Sequence, residues 1–332
     1  MRLHCGIYDS CDPLVINTLS LTPIIQDISL PSPEQQIFPD WEYANEYQLW
    51  VKRDDLIHPI VSGNKWRKLR YTLEQAVSTG VRHIVSFGGG HSNHLHALGY
   101  ACNSLNIKLT AIVRGHFHSN LTPMLQDLVA WQADVQFVDR KTYQLRDDKT
   151  YLASLAQQYP NAMFIPEGGS SEFALAGVAD IISELTQRYD YLLTPVGSGG
   201  TLGGLIHGAM NQPEPLHTKI IGIAVLKGDG YLEELVGKLL SSRATLPSQV
   251  ITPQPIADWH INHQFHFNGY AKASPELHQF CQTFNEALSI PIEPVYSGKL
   301  FWAVKELMAK KAFTAGSKIL LLHTGGLQGA RE

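Results

Sequence analysis

The chain lacks the features of nucleic-acid-binding and membrane proteins. Its 26 lysines and arginines are outnumbered by 30 aspartates and glutamates over 332 residues, so it has no basic excess to place against phosphates. No run approaches the roughly 20 apolar residues that span a bilayer. The first residues contain no apolar core of a secretory signal. We therefore expect a cytoplasmic protein that binds neither nucleic acid nor membranes.

Cysteine is scarce, and its spacing excludes a disulfide scaffold or a zinc finger. The four cysteines are Cys5, Cys11, Cys102 and Cys281. The first two are close together, but no second pair completes a tetrahedral zinc site. Free thiols in a reducing compartment are expected.

Three histidines, His260, His263 and His266, follow one another at a spacing of three. A metal cluster is conceivable, but this spacing fits neither a strand face nor a site with identifiable remaining ligands. We interpret them as surface histidines on an irregular strand and predict no metal.

The common nucleotide and hydrolase motifs are also missing. Gly197-Ser198-Gly199 begins a dinucleotide fingerprint, but Leu202 occupies the place of the third glycine, and Gly88-Gly89-Gly90 lacks that glycine too. No Walker loop is present. Gly90-His91-Ser92-Asn93 approaches a hydrolase nucleophile elbow, but His94 replaces its final glycine.

The apolar pattern alternates between strands and helices from about Gln48 onward. The predicted strands are 48–52, 83–87, 108–113, 134–138, 162–165, 191–194, 220–224 and 319–322. The predicted helices include one after Gly63 with Trp66, Leu69, Leu73 and Ala76 on one face, and others at Ser92–Leu105, at Ser171–Tyr189 and through Met210. Repeated β-α units predict an α/β fold of open, mostly parallel twisted sheet with flanking helices, and the length suggests two domains.

Three glycine-rich turns follow predicted strands. They are Gly88-Gly89-Gly90-His91-Ser92-Asn93, Gly197-Ser198-Gly199-Gly200-Thr201 and His323-Thr324-Gly325-Gly326. Ligands of parallel sheets bind at the carboxyl ends of the strands, where all three turns lie. The second turn also opens a helix, so its backbone N–H groups and the helix dipole favour a phosphate. A plain strand-to-helix turn is the alternative.

Lys65 lies at the start of the first long predicted helix. A lysine that holds an aldehyde as a Schiff base and a loop that holds a phosphate are what a pyridoxal-phosphate enzyme needs. Lysines near helix starts are usually solvated, and we expect Arg67, Lys68 and Arg70 to be so. A catalytic interpretation of Lys65 depends on the adjacent Gly63-Asn64 and on further motifs.

Seven motifs together resemble one enzyme family. They are Val51-Lys52-Arg53-Asp54-Asp55-Leu56, Gly63-Asn64-Lys65-Trp66-Arg67-Lys68-Leu69, Ser92-Asn93-His94, Gly168-Gly169-Ser170, Gly197-Ser198-Gly199-Gly200-Thr201, Pro294-Val295-Tyr296-Ser297-Gly298-Lys299 and His323-Thr324-Gly325-Gly326. From about Leu21 to Gly326 the chain is similar to the fold-type-II pyridoxal-phosphate family of 1-aminocyclopropane-1-carboxylate deaminase and D-cysteine desulfhydrase. The resemblance implies a tryptophan synthase β-subunit-like fold. Its large domain would consist of residues 1–65 and 169–332, and its small domain of residues 66–168. The active site would lie between the two domains. We also expect a homodimer.

The resemblance implies pyridoxal 5′-phosphate as cofactor and a role for each motif. Lys65 would bind the cofactor covalently, Asn93 would hydrogen-bond its 3′ oxygen, and Tyr296 would lie against its ring. The implied cofactor-binding residues are Lys65, Asn93, Gly197, Ser198, Gly199, Gly200, Thr201, Tyr296, Ser297 and Thr324. The implied substrate-binding residues are His91, Ser92, Asn93, His94 and Tyr270, and the implied catalytic residues are Lys65, Ser92, Tyr270 and Tyr296.

Two positions bear on which activity of the family is expected. Ser297 stands where the deaminases have a glutamate facing the pyridine nitrogen and the desulfhydrases have a hydroxyl residue. We therefore predict that Ser297 faces this nitrogen and leaves the ring a weaker electron sink. His94 also matches the desulfhydrases, because the deaminases have glutamine there.

These two positions favour β-elimination on a small amino acid. D-cysteine is the best candidate, and the products would be pyruvate, ammonia and hydrogen sulfide. Deamination of 1-aminocyclopropane-1-carboxylate is the enzymatic alternative. A non-catalytic protein that binds pyridoxal phosphate or an amino acid is the third possibility.

Three positions depart from the family pattern. His91 replaces a glutamine, His96 replaces an arginine, and Ala271 replaces a glycine after Tyr270. We predict that His91 and His96 reshape the carboxylate end of the pocket and alter substrate choice. For His96, packing against the other domain is the alternative.

Overall fold

The computed structural model describes residues 21–214, 216–242 and 257–331. Cys5 and Cys11 lie outside these residues. Cys102 and Cys281 are buried free thiols, as predicted.

Two sheets organise the described part of the chain. Its strands are β1 (Glu34–Ile37), β2 (Gln48–Lys52), β3 (His83–Gly89), β4 (Lys108–Arg114), β5 (Asp134–Val138), β6 (Met163–Ile165), β7 (Tyr191–Val196), β8 (Lys219–Ala224), β9 (Trp259–Asn262) and β10 (Lys318–Leu322). The six-stranded sheet has the order β1-β2-β10-β7-β8-β9, and the four-stranded sheet has the order β5-β4-β3-β6. Among the described strands, only β1 pairs antiparallel, with β2. This confirms the predicted α/β fold of mostly parallel sheet.

Helices connect and cover the strands. They are α1 (Thr22–Ile25), α2 (Asn64–Ser78), α3 (Asn93–Ser104), α4 (Pro123–Ala130), α5 (Arg140–Gln144), α6 (Lys149–Gln158), α7 (Glu172–Ser183), α8 (Gly200–Met210), α9 (Tyr231–Ser242), α10 (Pro275–Leu288) and α11 (Ser297–Ala309). The four-stranded sheet lies entirely within the predicted small domain, and the strands of the other sheet come from both flanking parts of the chain. The domain boundaries themselves stay a prediction.

Each predicted strand is present, but β1 and β9 were not among them. The helix predicted to reach Tyr189 was wrong at its end, because α7 stops at Ser183. Beyond it, the Thr186 N–H donates to the Glu34 carboxylate at 3.0 Å instead of to a helical carbonyl. A side chain of the edge strand β1 thus takes the hydrogen bond that another helical turn would need.

The apolar face of α2 is buried as predicted: Trp66, Leu69, Leu73 and Ala76 are at most 2% exposed. The opposite side of α2 packs closely on α7 at Gly177, where an added Cβ would be 1.9 Å from Arg67 O. A side chain larger than hydrogen at position 177 would therefore push the two helices apart. This packing sets the position of the helix that begins with the Gly63-Asn64-Lys65 motif.

Candidate active site

The start of α2 is joined to the turn that follows β10. Gly63 has a φ of +61°, and an added Cβ would lie 2.0 Å from Thr324 O. Only glycine therefore fits here, for both its backbone conformation and its close contact. The Asn64 N–H donates to the same Thr324 oxygen at 3.2 Å. Lys65 is consequently held at the carboxyl ends of the strands of the six-stranded sheet.

Asn64 links Lys65 to the glycine-rich loop before α8. Its Nδ2 donates to Thr201 Oγ1 at 2.9 Å, and its Oδ1 accepts from Lys65 Nζ at 2.5 Å. Desolvation lowers the pKa of Lys65 to about 8, although the carboxyl of Glu293 partly opposes the shift. Close to neutral pH a fraction of Lys65 is therefore an unprotonated amine, the form that reacts with aldehydes.

Lys68 points into the same glycine-rich region, one turn along α2. Its Nζ lies 3.3 Å from Ser198 Oγ and 3.4 Å from both Ser170 Oγ and Gly168 O. Lys68 is only 4% exposed. The expectation that Arg67 and Lys68 are solvated was wrong, because α7 and the two serine-bearing loops cover this face of α2.

These groups fit a bound phosphate. Every oxygen that contacts Lys68 is neutral, so the ammonium has no anionic contact in this cluster. An added Cβ at Gly200 would lie 2.5 Å from Ser170 Oγ and 3.0 Å from Lys68 Nζ, so the loop backbone reaches the cluster only as glycine. Hydroxyls, an ammonium and the N-terminus of α8 are the donor set that phosphates bind.

Binding of inorganic phosphate at this cluster should take up a proton. Burial, followed by the charge of Lys65, lowers the pKa of Lys68 to about 7. A phosphate beside it raises that pKa again. Between about pH 8 and 9, where free phosphate is already a dianion, we expect uptake of up to one proton per phosphate bound. Below about pH 6 the uptake should vanish or change sign, because Lys68 is already charged and its ammonium favours loss of a proton from the monoanionic phosphate. Calorimetry in buffers of different ionisation enthalpy measures the uptake. Lys68→Met should abolish it, and a pH-independent zero in the unaltered protein would contradict the assignment.

The glycine-rich turn of residues 88–93 leads into α3. Ser92 caps this helix by accepting the Leu95 N–H at 3.2 Å. His94 is buried, and its Nε2 lies 2.8 Å from Ser86 Oγ, which in turn donates to Ile165 O at 2.8 Å. Ser86 must therefore accept from His94, which places the proton on Nε2 and leaves Nδ1 as an acceptor.

His94 Nδ1 has no hydrogen-bond partner among the described residues, and it lies against Gly169. Burial lowers the pKa of His94 to about 3, and the charges of Lys65 and Lys68 contribute to the shift. The imidazole is therefore neutral at physiological pH. Of the histidines predicted to bind substrate, this one combines burial with an unused acceptor.

His91 and His96 occupy different environments. His91 is exposed at the turn before α3. His96 is buried, with Nε2 2.9 Å from Asp127 Oδ2 and its ring 5.0 Å from that of Trp131. His96 thus packs on the end of α4, while its predicted effect on substrate choice stays a prediction.

Two tyrosines face each other beside the glycine-rich loop before α8. The hydroxyls of Tyr270 and Tyr296 are 2.9 Å apart, and an added Cβ at Gly197 would contact the Tyr296 ring at 3.4 Å. Burial raises the pKa of Tyr296 well above its ordinary value, and Tyr270 adds to the shift. Tyr296 therefore keeps its proton at neutral pH and can act as a donor.

Sequence reasoning missed a carboxylate next to Ser297. Glu293 is buried, and its carboxylate accepts the N–H groups of Val295, Tyr296 and Ser297 at 2.7–2.9 Å. Ser297 Oγ lies 3.2 Å from Glu293 Oε1 and accepts the Glu293 N–H at 2.9 Å. The predicted contact of Ser297 with a pyridine nitrogen stays a prediction, but its hydroxyl is coupled to a carboxylate.

Lys299 was also missed as a structural element of the site. Its ammonium is buried and donates to the carbonyls of Val225, His266 and Gly269 at 2.9–3.0 Å. Three carbonyls from two loops thus converge on one side chain of α11. Because the last of them directly precedes Tyr270, Lys299 fixes the loop that carries this tyrosine.

A buried ion network holds α2 in place. Arg67 donates to both oxygens of Asp54, at 3.0 and 3.1 Å, and to both oxygens of Glu184, at 2.5 and 2.8 Å. Lys52 Nζ lies 3.4 Å from Glu184 Oε2. The network joins β2, α2 and the end of α7, so the backbone that carries Lys65 is fixed from three sides.

The remaining predictions concern metals and membranes. Within the described residues, no cluster of histidine, cysteine or carboxylate side chains could hold a metal ion. His263 instead lies 2.7 Å from Glu233 Oε1 at the start of α9, and His260 is exposed on β9. Across the same parts of the chain, no helix combines the length and apolar character of a membrane crossing.

Comparison with known proteins identifies the family. A family model described as "Pyridoxal-phosphate dependent enzyme" matches residues 39–325. A "Putative 1-aminocyclopropane-1-carboxylate deaminase" of Pyrococcus horikoshii is 27% identical over 321 residues, which cover 96% of each chain. A "Bifunctional D-cysteine desulfhydrase/1-aminocyclopropane-1-carboxylate deaminase, mitochondrial" of Arabidopsis thaliana is also 27% identical, over 96% of this chain and 80% of the other. A crystal structure of an ACC deaminase homologue aligns with a TM-score of 0.75 at 27% identity, over 92% of each chain. The family expected from the motifs is confirmed: the chain belongs to the pyridoxal-phosphate-dependent enzymes, and its cofactor is pyridoxal phosphate.

Proposed function

We propose that the protein catalyses β-elimination on a small amino acid, with D-cysteine as the best candidate. Ser297 is the observation that carries this choice. By family resemblance, a hydroxyl at this position is typical of the desulfhydrases and a glutamate of the deaminases. Ser297 is fully buried at the start of α11, directly after Tyr296.

The residues around Lys65 divide into two groups. Lys68, Ser170, Ser198 and the N-terminus of α8 would bind the phosphate, and Lys65 would bind the aldehyde. When bound, pyridoxal phosphate delocalises the electron pair left on the substrate α-carbon after proton removal. Asn64 supports both groups, since it contacts Thr201 of the phosphate loop and Lys65 Nζ.

The protein supplies the proton transfers. The α-proton passes to Lys65 or Ser92; Tyr296 is the third candidate base, but its raised pKa keeps it protonated at neutral pH. The Cβ–S bond then breaks with its electron pair leaving on sulfur. The pKa of Tyr296 is raised well above its ordinary value, so its hydroxyl keeps its proton and can donate a hydrogen bond to the departing hydrosulfide, with Tyr270 2.9 Å away to orient it. The hydrosulfide takes its second proton from water. Water then hydrolyses the product imine, so one D-cysteine and one water give pyruvate, ammonia and hydrogen sulfide.

Deamination of 1-aminocyclopropane-1-carboxylate to 2-oxobutanoate and ammonia is the second candidate. The observation that favours it is Glu293, whose carboxylate lies 3.2 Å from Ser297 Oγ. A carboxylate coupled through this hydroxyl could strengthen the electron sink in the way that a directly placed glutamate does. Of the two curated relatives, one is named for the deaminase activity alone and the other for both activities.

A keto-acid assay over five substrates separates these functions. The substrates are D-cysteine, L-cysteine, β-chloroalanine, D-serine and 1-aminocyclopropane-1-carboxylate. We expect pyruvate and equimolar sulfide from D-cysteine, with a kcat/KM at least about tenfold above that for the cyclopropane, a difference of about 1.4 kcal/mol. 2-Oxobutanoate as the dominant product would favour the deaminase instead. If the protein binds pyridoxal phosphate but releases no keto acid from any substrate, the proposed elimination is refuted.

A further inference from the structure

The C-terminal segment after β10 crosses from the six-stranded sheet to the start of α3. It forms a short 3-10 helix, Leu327–Ala330. The side-chain nitrogen of the half-buried Gln328 donates to His91 O at 3.3 Å and to Asn93 Oδ1. Gln328 therefore contacts the turn and the helix start that carry the predicted substrate and cofactor contacts.

Arg331 anchors the far end of this segment. Its Nη2 donates to Asp127 Oδ2 at 2.6 Å and lies 3.3 Å from His96 Nε2, on the helices that flank the four-stranded sheet. The same nitrogen lies 3.4 Å from Gln328 Oε1. The segment is thus attached at two points: Gln328 contacts the start of α3, and Arg331 contacts both α3 and α4. Because Gln328 also contacts Arg331, it connects the two points.

In this series of hydrogen bonds, the groups at the two ends decide which atom donates and which accepts. Arg331 can only donate, so the Gln328 atom that faces it is the oxygen. The carbonyl of His91 can only accept, so the Gln328 atom that faces it is the nitrogen. That nitrogen also meets Asn93, whose facing atom must be Oδ1. The amide orientations of Gln328 and Asn93 are therefore mutually required and do not depend on an arbitrary choice of flip.

We infer that Gln328 is a positioning residue that fixes the Asn93 amide with its NH2 group free to donate to a ligand. The NH2 group lies beside Gly326, where an added Cβ would be 2.5 Å from Nδ2. The identity of the ligand atom, the anionic 3′ oxygen of pyridoxal phosphate, is what the family resemblance implies for Asn93, and it rests on the cofactor part of the proposed function, not on the choice of substrate. An NH2 group stabilises that oxygen, whereas a rotated amide would turn Oδ1 toward it and repel it.

Binding of pyridoxal phosphate to variants of the full chain tests this inference. Gln328→Met has a similar size but forms no such hydrogen bonds, and Gln328→Glu can only accept. We expect the Kd for pyridoxal phosphate to rise about tenfold in Gln328→Met and further in Gln328→Glu. The visible absorption maximum of the bound cofactor should shift in both. Gln279→Glu, at an exposed position on α10, is the matched control and should change neither quantity.

A double-mutant cycle distinguishes positioning from a general effect on the fold. If Gln328 acts through Asn93, Gln328→Met should change the Kd by less than about twofold in an Asn93→Ala background. An undiminished tenfold effect in that background would overturn the inference, as would a Kd and spectrum of Gln328→Met equal to those of the unaltered protein. Failure of the unaltered protein to bind pyridoxal phosphate would overturn both this inference and the proposed function. Binding without keto-acid release would refute only the proposed function.

Discussion

Replacement of Lys65 by alanine is expected to lower kcat/KM for the best substrate by at least about 10³-fold, because it removes both the covalent attachment point and a candidate proton acceptor. The visible absorption of the bound cofactor should disappear as well. Lys65 is suited to this role because desolvation lowers its pKa to about 8, and Asn64 orients its Nζ. Steady-state kinetics and an absorption spectrum of the purified variant measure the two effects.

Lys68→Met is the matched comparison for this variant. Lys68 lies on the same helix face, and its contacts are those of a phosphate-binding group. Its loss should raise the Kd for pyridoxal phosphate while the covalent spectrum persists at saturating cofactor. If Lys65→Ala retained the visible band and more than a tenth of the activity, Lys65 would not be the attachment point.

Arg67→Met is expected to lower the free energy of unfolding by about 3–5 kcal/mol. The Arg67 side chain is 1% exposed and binds two carboxylates, one of them the fully buried Asp54. Methionine fills much of the same space but leaves both negative charges without their main partner. Denaturant-induced unfolding, followed by two independent spectroscopic signals, gives the change.

Arg70 on the same helix provides the control. Its side chain is 35% exposed and pairs with Glu74 and Asp180. Because such partly exposed pairs contribute little, Arg70→Met should cost less than about 1 kcal/mol. Equal losses for the two variants would mean that the network around Arg67 does not stabilise the start of α2.

Most of the strands that sequence reasoning found have continuous apolar runs. The strands β7 and β10 are buried on both faces of a parallel sheet, so nearly every position is apolar. The missed strand β1 has the sequence Glu34-Gln35-Gln36-Ile37 and lies at a sheet edge. A polar edge strand has no periodicity that a one-dimensional pattern could detect, and only its pairing with β2 defines it.

The candidate site, like the fold, has a part that the sequence indicates and a part that only the folded chain shows. Lys65 and the loop of residues 197–201 could be named as candidates because their chemistry is local to short motifs, and Asn64 contacts both in the folded chain. The burial of Lys68 could not, since charged residues are usually exposed and only the packing of α2 against two distant loops covers it. Its spacing of three from Lys65 was the one available signal. Glu293 was missed because a carboxylate before a helix is usually a cap, and its coupling to Ser297 appears only in the folded chain.

Mapping of the cofactor attachment point tests the central claim most directly. Several amines with lowered pKa values lie in this region: Lys65 at about 8, Lys68 at about 7 and Lys299 at about 8. A lowered pKa alone therefore does not select among them. Borohydride reduction of the protein with pyridoxal phosphate makes the lysine–cofactor bond permanent, and peptide mass spectrometry locates it. The geometry predicts a single modified lysine at Lys65; modification at Lys68 or Lys299, or no stoichiometric modification at all, would contradict it.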